Sequence, residues 1–470
     1  MKLKNQQFNS FIEDKQREFD EFRRKINEDF AKLMEQGRWE VCQKHQALQQ
    51  PVEKDLRPVI YDEKKDGSRK NKQHSFEAIV YEKSQNENQP KPIVPIKQNE
   101  ISQNYNGFMF YGTKMKARWG DLSSFKLSGI DENSLANGFR YLTNEKYNNL
   151  LNDCLSLRDN YVLCDWAYYK LLETISSAIC GKGSNEATFL QGVLYQQSGY
   201  TMRFAVDQTQ NSLYLLVKVN GVVYDVNTIY VDNKTFYLFN KSKSQQLKVC
   251  NMAYTDEQDM SMSIKMLPRF EFDLSEMKEI KSQSYHMNVR SAVNKNLIDF
   301  MREYPTSYDG EDVLTKWAYY ANTPVSEEIK QLVYPQLKDL LKITDKVLAV
   351  NMLLNWVQTG FVYELDDKVW GRDRAFFAEE TLFYPFSDCE DRAILFSHLV
   401  RDLLGLDVVL VYYPGHMATA VCFDGEVSGD FLVINNKKYT IADPCYTRAR
   451  VGRTMPELDN KMAKVILCKR

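Results

Sequence analysis

Ser387-Asp388-Cys389-Glu390-Asp391-Arg392-Ala393 opens the stretch SDCEDRAILFSHLVRDLLG, residues 387–405, whose reading decides the fold. Tyr384-Pro385-Phe386-Ser387-Asp388 ahead of it is turn-like. Beyond it Ala393, Phe396, Leu399, Val400, Leu403 and Leu404 recur at helical spacing, and Gly405 ends the run. The spacing predicts a core helix over 389–404 with Cys389 in its first turn. Backbone N–H groups there lack helical partners, and the positive end of the dipole favours a thiolate. A free cysteine titrates at about 8.5, so the larger part of any activating shift must come from a histidinium partner. The same N–H groups can hold an oxyanion.

Two histidines follow. His398 lies nine residues beyond Cys389 on the same helix, which puts it about 13 Å along the axis and out of reach. His416 follows the turn Pro414-Gly415 and opens the strand-like run HMATAV. A strand packed on the cysteine helix can present His416 to Cys389, so His416 is the better base. Asp443 ends the run Tyr439-Thr440-Ile441-Ala442 and is followed by Pro444. If the two strands pair, its carboxylate can accept the second imidazole N–H and orient the ring. Each residue alone has an ordinary structural reading: packing for the cysteine, a satisfied polar group for the histidine, a turn for Asp-Pro. Their order on helix, strand and strand is what makes the case.

SDCEDRA, PGHMATAV and YTIADPCY resemble the Cys, His and Asp motifs of the transglutaminase-like superfamily. Asp-Cys-Glu-Asp is similar to the motif of bacterial transglutaminase-like cysteine peptidases, and NWVQTGFVYELDD with WGRDRAFFAEETLFYP resembles the segment before the cysteine there. The likeness covers roughly residues 340–455, and 101–470 reads as one bacterial family built around this domain. It implies an α+β fold with a papain/transglutaminase-like core, a helix bearing the cysteine packed on an antiparallel sheet. It also implies Cys389 as nucleophile, His416 as base and acid, and Asp443 as orienter. Superfamily activities are peptide-bond hydrolysis, glutamine-to-amine acyl transfer and deamidation, all through a thioester. Cys445 departs from the family's frequent Asp-Pro-Thr, and the tryptophan-type oxyanion donor of animal transglutaminases has no sure match. Gln358, a side-chain amide at the end of the preceding helix, is the candidate extra donor, with Trp356 next. Asp388, Glu390 and Asp391 oppose a thiolate, so they must point away, pair with Arg392 or another cation, or bind a metal such as calcium, which some relatives use. No cofactor or metal is otherwise expected.

Working outward, 342–470 forms the catalytic domain, with helices over 346–358 and 389–404 and strands over 408–413, 416–423, 431–434 and 439–442. Upstream, 101–256 reads as an α+β domain: a strand at 108–111, helices near 134–142, 144–157, 160–179 and 185–197, then strands at 202–206, 213–219, 222–224 and 236–239. The order helix, helix, strands thus occurs twice. Asn185 falls where Cys389 stands, and Gln210 or Asn211 falls near the His416 position. Two readings stay open, a second inactive copy of the fold or chance likeness of two amphipathic helix pairs. Residues 257–341 read as a mainly helical connection, including 293–304 and 326–341.

At the front, Phe8, Phe11, Ile12, Phe19, Phe22, Ile26, Phe30 and Leu33 stripe an amphipathic helix within 1–45. It either docks on its own protein or binds a partner or a second copy. Residues 46–100, rich in Pro, Lys and Gln, read as a tether, with only a short piece at 76–81 able to pair as a strand.

The 470 residues suit two to four units, and 61 basic against 63 acidic side chains give a net charge of -2, without the basic surplus of a nucleic-acid binder. Nine cysteines form no CxxC pair, and none of five histidines stands at zinc-ligand spacing from them, so reduced thiols are expected. No apolar run reaches about 18 residues, and the N-terminus lacks a secretory apolar core. The chain as given reads as soluble and cytoplasmic, or exported if a signal has been removed. The function expected is a thiol hydrolase, a cysteine peptidase acting on a protein or peptide. The alternatives are an acyl transferase or deamidase, and a non-catalytic interaction scaffold on the same folds.

Overall fold

The computed structural model describes residues 2–37, 39–51, 56–62, 73–74, 77–79, 104–310, 312–342 and 345–468. The architecture is α+β, with helices packed on mainly antiparallel sheets. The chain forms two units, residues 1–49 with 85–262 and residues 50–84 with 263–470. Among the described residues no helix is long and apolar enough to cross a membrane.

In the first unit a helix pair, Asp165–Cys180 and Asn185–Gln197, packs on five strands: Met202–Asp207, Ser212–Val217, Asn227–Val231, Lys234–Leu238 and Gln246–Cys250. Counted from the helix pair, their order across the sheet is fifth, first, second, fourth, third, and all neighbours are antiparallel. Asp232 and Asn233, both at positive φ (47° and 59°), make the two-residue hairpin between third and fourth strands. A sixth strand, Trp39–His45, pairs with Gln246–Cys250 on one side and Asn227–Val231 on the other, closing a barrel filled by Ala205, Leu216, Ile229, Phe236 and Val249.

That sixth strand follows the amphipathic helix within residues 1–45. The helix runs over Lys2–Gln36 and stops at Gly37, where a Cβ would lie 1.8 Å from the Leu33 carbonyl oxygen. The latter half of the helix docks on its own unit. Ala31 and Met34 are fully buried, and the Phe30 ring lies 5.1 Å from Phe139 and 5.2 Å from Tyr254. Phe11 and Phe22 remain exposed; the side chains of Phe8 and Ile12 lie outside the described residues.

The second unit packs Lys346–Gly360 and Cys389–Leu404 on the strands Asp407–Tyr413, His416–Cys422, Phe431–Ile434, Lys437–Ala442 and Lys464–Leu467. Their order is again fifth, first, second, fourth, third, with antiparallel neighbours. Asn435 and Asn436, again both at positive φ (49° and 62°), turn the chain between third and fourth strands. Two short pieces continue the sheet in parallel, Gln73–His74 beyond the third strand and Glu77–Ile79 beyond the fifth. Two residues separate His74 from Glu77, so their Cα atoms lie about 11 Å apart at most and the sheet curls until its edges nearly meet. The segment from 263, mainly helical, is part of this unit rather than a separate connection. It contributes the hairpin Lys278–Lys281 with Asn288–Ser291 as well as the helices Lys295–Arg302, Thr315–Asn322, Glu327–Leu332 and Tyr334–Leu340.

Candidate functional site

Cys389 is the first residue of Cys389–Leu404, as its spacing predicts. Asp388 is the N-cap: its side chain accepts from the Asp391 N–H, and the Asp391 carboxylate accepts from the Asp388 N–H in return. Gly405 ends the helix in the left-handed region, φ 66°. Arg392, fully buried, ties the helix start to its surroundings through Ser387 Oγ at 3.1 Å and the carbonyls of Gln358 and Phe361 at 3.2 and 2.8 Å. It pairs with those neutral oxygens in place of the neighbouring carboxylates.

His416 opens the second strand after the two-residue turn Pro414-Gly415, Gly415 taking φ 73°. Register sets Thr419 opposite Ala442, so the end of Lys437–Ala442 arrives beside the start of the His416 strand. There His416 Nε2 and Asp443 Oδ2 lie 3.0 Å apart, both side chains fully buried. The other Asp443 oxygen accepts the N–H groups of Cys445 at 2.8 Å and Tyr446 at 3.1 Å. With a carboxylate accepting at Nε2–H, the imidazole keeps its lone pair on Nδ1, which is buried with no hydrogen-bond partner among the described residues. The Asp443 loop reaches the helix tip: Cys445 Sγ stands 3.9 Å from the Asp388 carbonyl oxygen. Cys389 is 2 % exposed, and its thiol donates to Glu390 Oε2 at 3.1 Å.

Gln358 has another role than the oxyanion donor that its position suggests. Its Nε2 donates to the carbonyls of Asp443, Tyr446 and Ala449 at 2.9, 2.8 and 3.0 Å, and its Oε1 accepts from the Arg448 N–H at 3.1 Å. An amide with two hydrogens among three acceptors has none left for an oxyanion; Gln358 holds the loop that carries Asp443. Trp356 is likewise engaged, donating to the Ile280 carbonyl at 3.1 Å. His398 sits apart from the site, with Nδ1 3.4 Å from an Arg401 nitrogen, and burial followed by Arg401 holds its pKa well below the ordinary value.

Tyr363 and Asp366, not singled out by the sequence, join the site. Tyr363 stands beside Ser387 where Val362–Tyr363 and Phe386–Ser387 pair. Burial pushes its phenol up, with Cys389, Cys445, Asp388 and Glu390 adding to the effect. Asp366, Asp388 and Glu390 are buried, with one oxygen of each within 4.8 Å of the others. Burial, then Asp391 and Glu390, push Asp366 up to about 10, and burial pushes Asp391 up to about 7. A protonated Asp366, or a cation shared by the three, eases the repulsion among them. An all-oxygen set of this kind suits calcium, with water or carbonyl oxygens completing a coordination of about six to eight.

Comparison of the chain with protein-family models, with curated proteins and with solved structures gives no match.

The matching positions of the first unit hold other chemistry. Asn185 opens its second helix, Ser212 its second strand, and Phe239 follows its fourth strand. The Asn185 amide donates to the Asn211 carbonyl at 2.9 Å and accepts from the Leu213 N–H at 2.8 Å. Helix tip and strand start are thus joined by hydrogen bonds.

Proposed function

We propose that the second unit is a transglutaminase-like thiol hydrolase, a cysteine peptidase acting through a thioester, and that the first unit is a non-catalytic copy of the same core. The observation that carries the reading is the His416–Asp443 pair at 3.0 Å, wholly buried, on strands packed under the helix that Cys389 opens. In the reading, Nδ1 of His416 takes the thiol proton as Cys389 Sγ bonds to the scissile carbonyl carbon. The Cys389 N–H, a donor at the helix start, faces the developing oxyanion. Collapse breaks the C–N bond, and the departing amine takes the proton from the imidazolium. Water then attacks the thioester, gives its proton to Nδ1, and releases the acid and the thiol. Asp443 keeps the imidazole in the tautomer that this sequence needs. An amine in place of water would give acyl transfer by the same steps.

Buried carboxylates beside the sulfur disfavour the thiolate, so protonation of Asp366, or a cation among Asp366, Asp388 and Glu390, supports the same chemistry. The test is a peptide library followed for new termini by mass spectrometry. The wild-type chain is expected to create termini that Cys389→Ala and His416→Ala do not. Termini that persist in Cys389→Ala overturn the reading.

A further inference from the structure

Within the second unit, residues 56–61 bond to the loops that follow Asp443 and precede His416, and to Tyr363 of the candidate site. The Leu56 N–H donates to the carbonyl of Gly415, the neighbour of His416, at 2.8 Å. The Leu56 carbonyl accepts from the Tyr363 hydroxyl at 3.3 Å, and Tyr363 lies across the strand pair from Ser387, two residues before Cys389. Further on, Ile60 bridges in parallel to Thr447, four residues beyond Asp443. The Thr447 N–H donates to the Val59 carbonyl at 3.0 Å, and the Tyr61 N–H to the Thr447 carbonyl at 2.9 Å.

Side chains alternate as in a strand added to an edge. Val59 and Tyr61 turn inward onto Tyr446, Ala449 and Met455, with the Tyr61 and Tyr446 rings edge-on at 5.5 Å, while Ile60 is 62 % exposed. Pro58 has no N–H to offer, so the pairing falls into two groups on either side of it. Main-chain bonds of this sort do not depend on sequence, whereas the inward side chains do, which is how edge-added peptides are recognised. Cys389, His416 and Asp443 beneath are each at most 2 % exposed.

We propose that residues 56–61 occupy the peptide-binding rim of this site as an internal stand-in for substrate. The site then takes an extended polypeptide with an aliphatic and an aromatic residue two apart, and the segment competes with substrate for it and slows access to the thiol. This rests on the thiol-enzyme reading of Cys389, His416 and Asp443. The segment is held by a few modest main-chain bonds and one small apolar contact, so it can open without the unit unfolding.

The test uses the full chain and follows alkylation of Cys389 by iodoacetamide, read by mass spectrometry. Two variants unseat the segment by different means: Val59→Ala with Tyr61→Ala removes the inward side chains, and Leu56→Pro removes the N–H bonded to Gly415. Circular dichroism melts confirm that each is folded. Either folded variant should label Cys389 about tenfold faster than the wild type. A synthetic peptide of residues 56–62, LRPVIYD, should slow that labelling again, and a scrambled peptide should not. Equal labelling of wild type and both variants that still depends on His416 overturns the segment's role and leaves the thiol reading standing. Labelling indifferent to His416→Ala in every background overturns both.

Discussion

The two units lay five strands in one order beneath a helix pair and turn between third and fourth strands with paired positive-φ residues, Asp232-Asn233 in one and Asn435-Asn436 in the other. They differ at three positions and at one edge. Where the second unit has Cys389, His416 and Asp443, the first has Asn185, Ser212 and Phe239. Where the first unit closes its barrel with the antiparallel Trp39–His45, the second meets its edges with short parallel pieces and runs residues 56–61 past its site. The difference separates what the core needs from what the chemistry needs. The core is satisfied by an amide bridging helix tip to strand start, so a cysteine at the helix tip and a buried His–Asp pair are no requirement of folding.

The largest expected effect tests that separation. Asn185→Cys puts a thiol at the matching helix start without an imidazole or carboxylate at the matching strand positions. It should alkylate on the order of a hundredfold more slowly than Cys389 at about pH 6; comparable rates would mean that the helix start alone activates a thiol. Next comes Gln358→Ala, which leaves the carbonyls of Asp443, Tyr446 and Ala449 without their shared donor. It should slow turnover about tenfold by loosening Asp443 and destabilise the second unit by roughly 1–3 kcal/mol, seen as a lower Tm. A Tm unchanged from wild type would remove Gln358 from the support of that loop.

A comparison of glycines separates the units in stability alone. Gly452, φ 86°, lies where a Cβ would come 2.4 Å from the Ser428 carbonyl oxygen and 2.8 Å from Gly429 Cα, whereas Gly181, φ 92°, has nothing within 4 Å of a Cβ. Gly452→Ala adds a clash to the backbone strain and should cost about 2–4 kcal/mol, against about 1 kcal/mol for Gly181→Ala, both read by chemical denaturation. Equal costs would show that the approach of 428–429 to 452 is not tight.

The smallest effect is a slope. His398 is buried with its pKa well below 6.5, so the unfolded chain binds a proton that the folded chain refuses. Its contribution is therefore present above pH 6.5 and is lost as pH falls below it, at up to about 1.4 kcal/mol per pH unit. His398→Gln should flatten the stability profile over that range relative to wild type. An unaltered profile would mean that His398 does not stay neutral in the fold.

How much of this is legible in the sequence follows from distance along the chain. The helix over 389–404 is written locally, by Asp388 before it, the apolar spacing within it and Gly405 after it, and the hairpin around Pro414-Gly415 is equally local. The strand Trp39–His45 is not: only Cys42 among its residues is buried, so it carries no apolar alternation, and its partners lie about two hundred residues away. Asn227–Val231, Gln246–Cys250 and Lys464–Leu467 are short and take their identity from neighbours rather than from their own pattern. Among the site residues, Cys389, His416 and Asp443 stand at element ends that the sequence marks. The work of Gln358 depends on carbonyls 85 to 91 residues downstream. Tyr363 and the segment 56–61 acquire theirs from residues far along the chain, a pairing that leaves no local pattern in the sequence.

The most direct measurement is the rate of iodoacetamide alkylation at each of the nine cysteines across pH, in wild type, His416→Ala and His398→Ala. A Cys389 activated by His416 labels ahead of Cys422 and Cys445 at about pH 6, loses that lead in His416→Ala and keeps it in His398→Ala. Uniform slow labelling of all nine thiols, or a Cys389 lead that survives His416→Ala, would contradict the account.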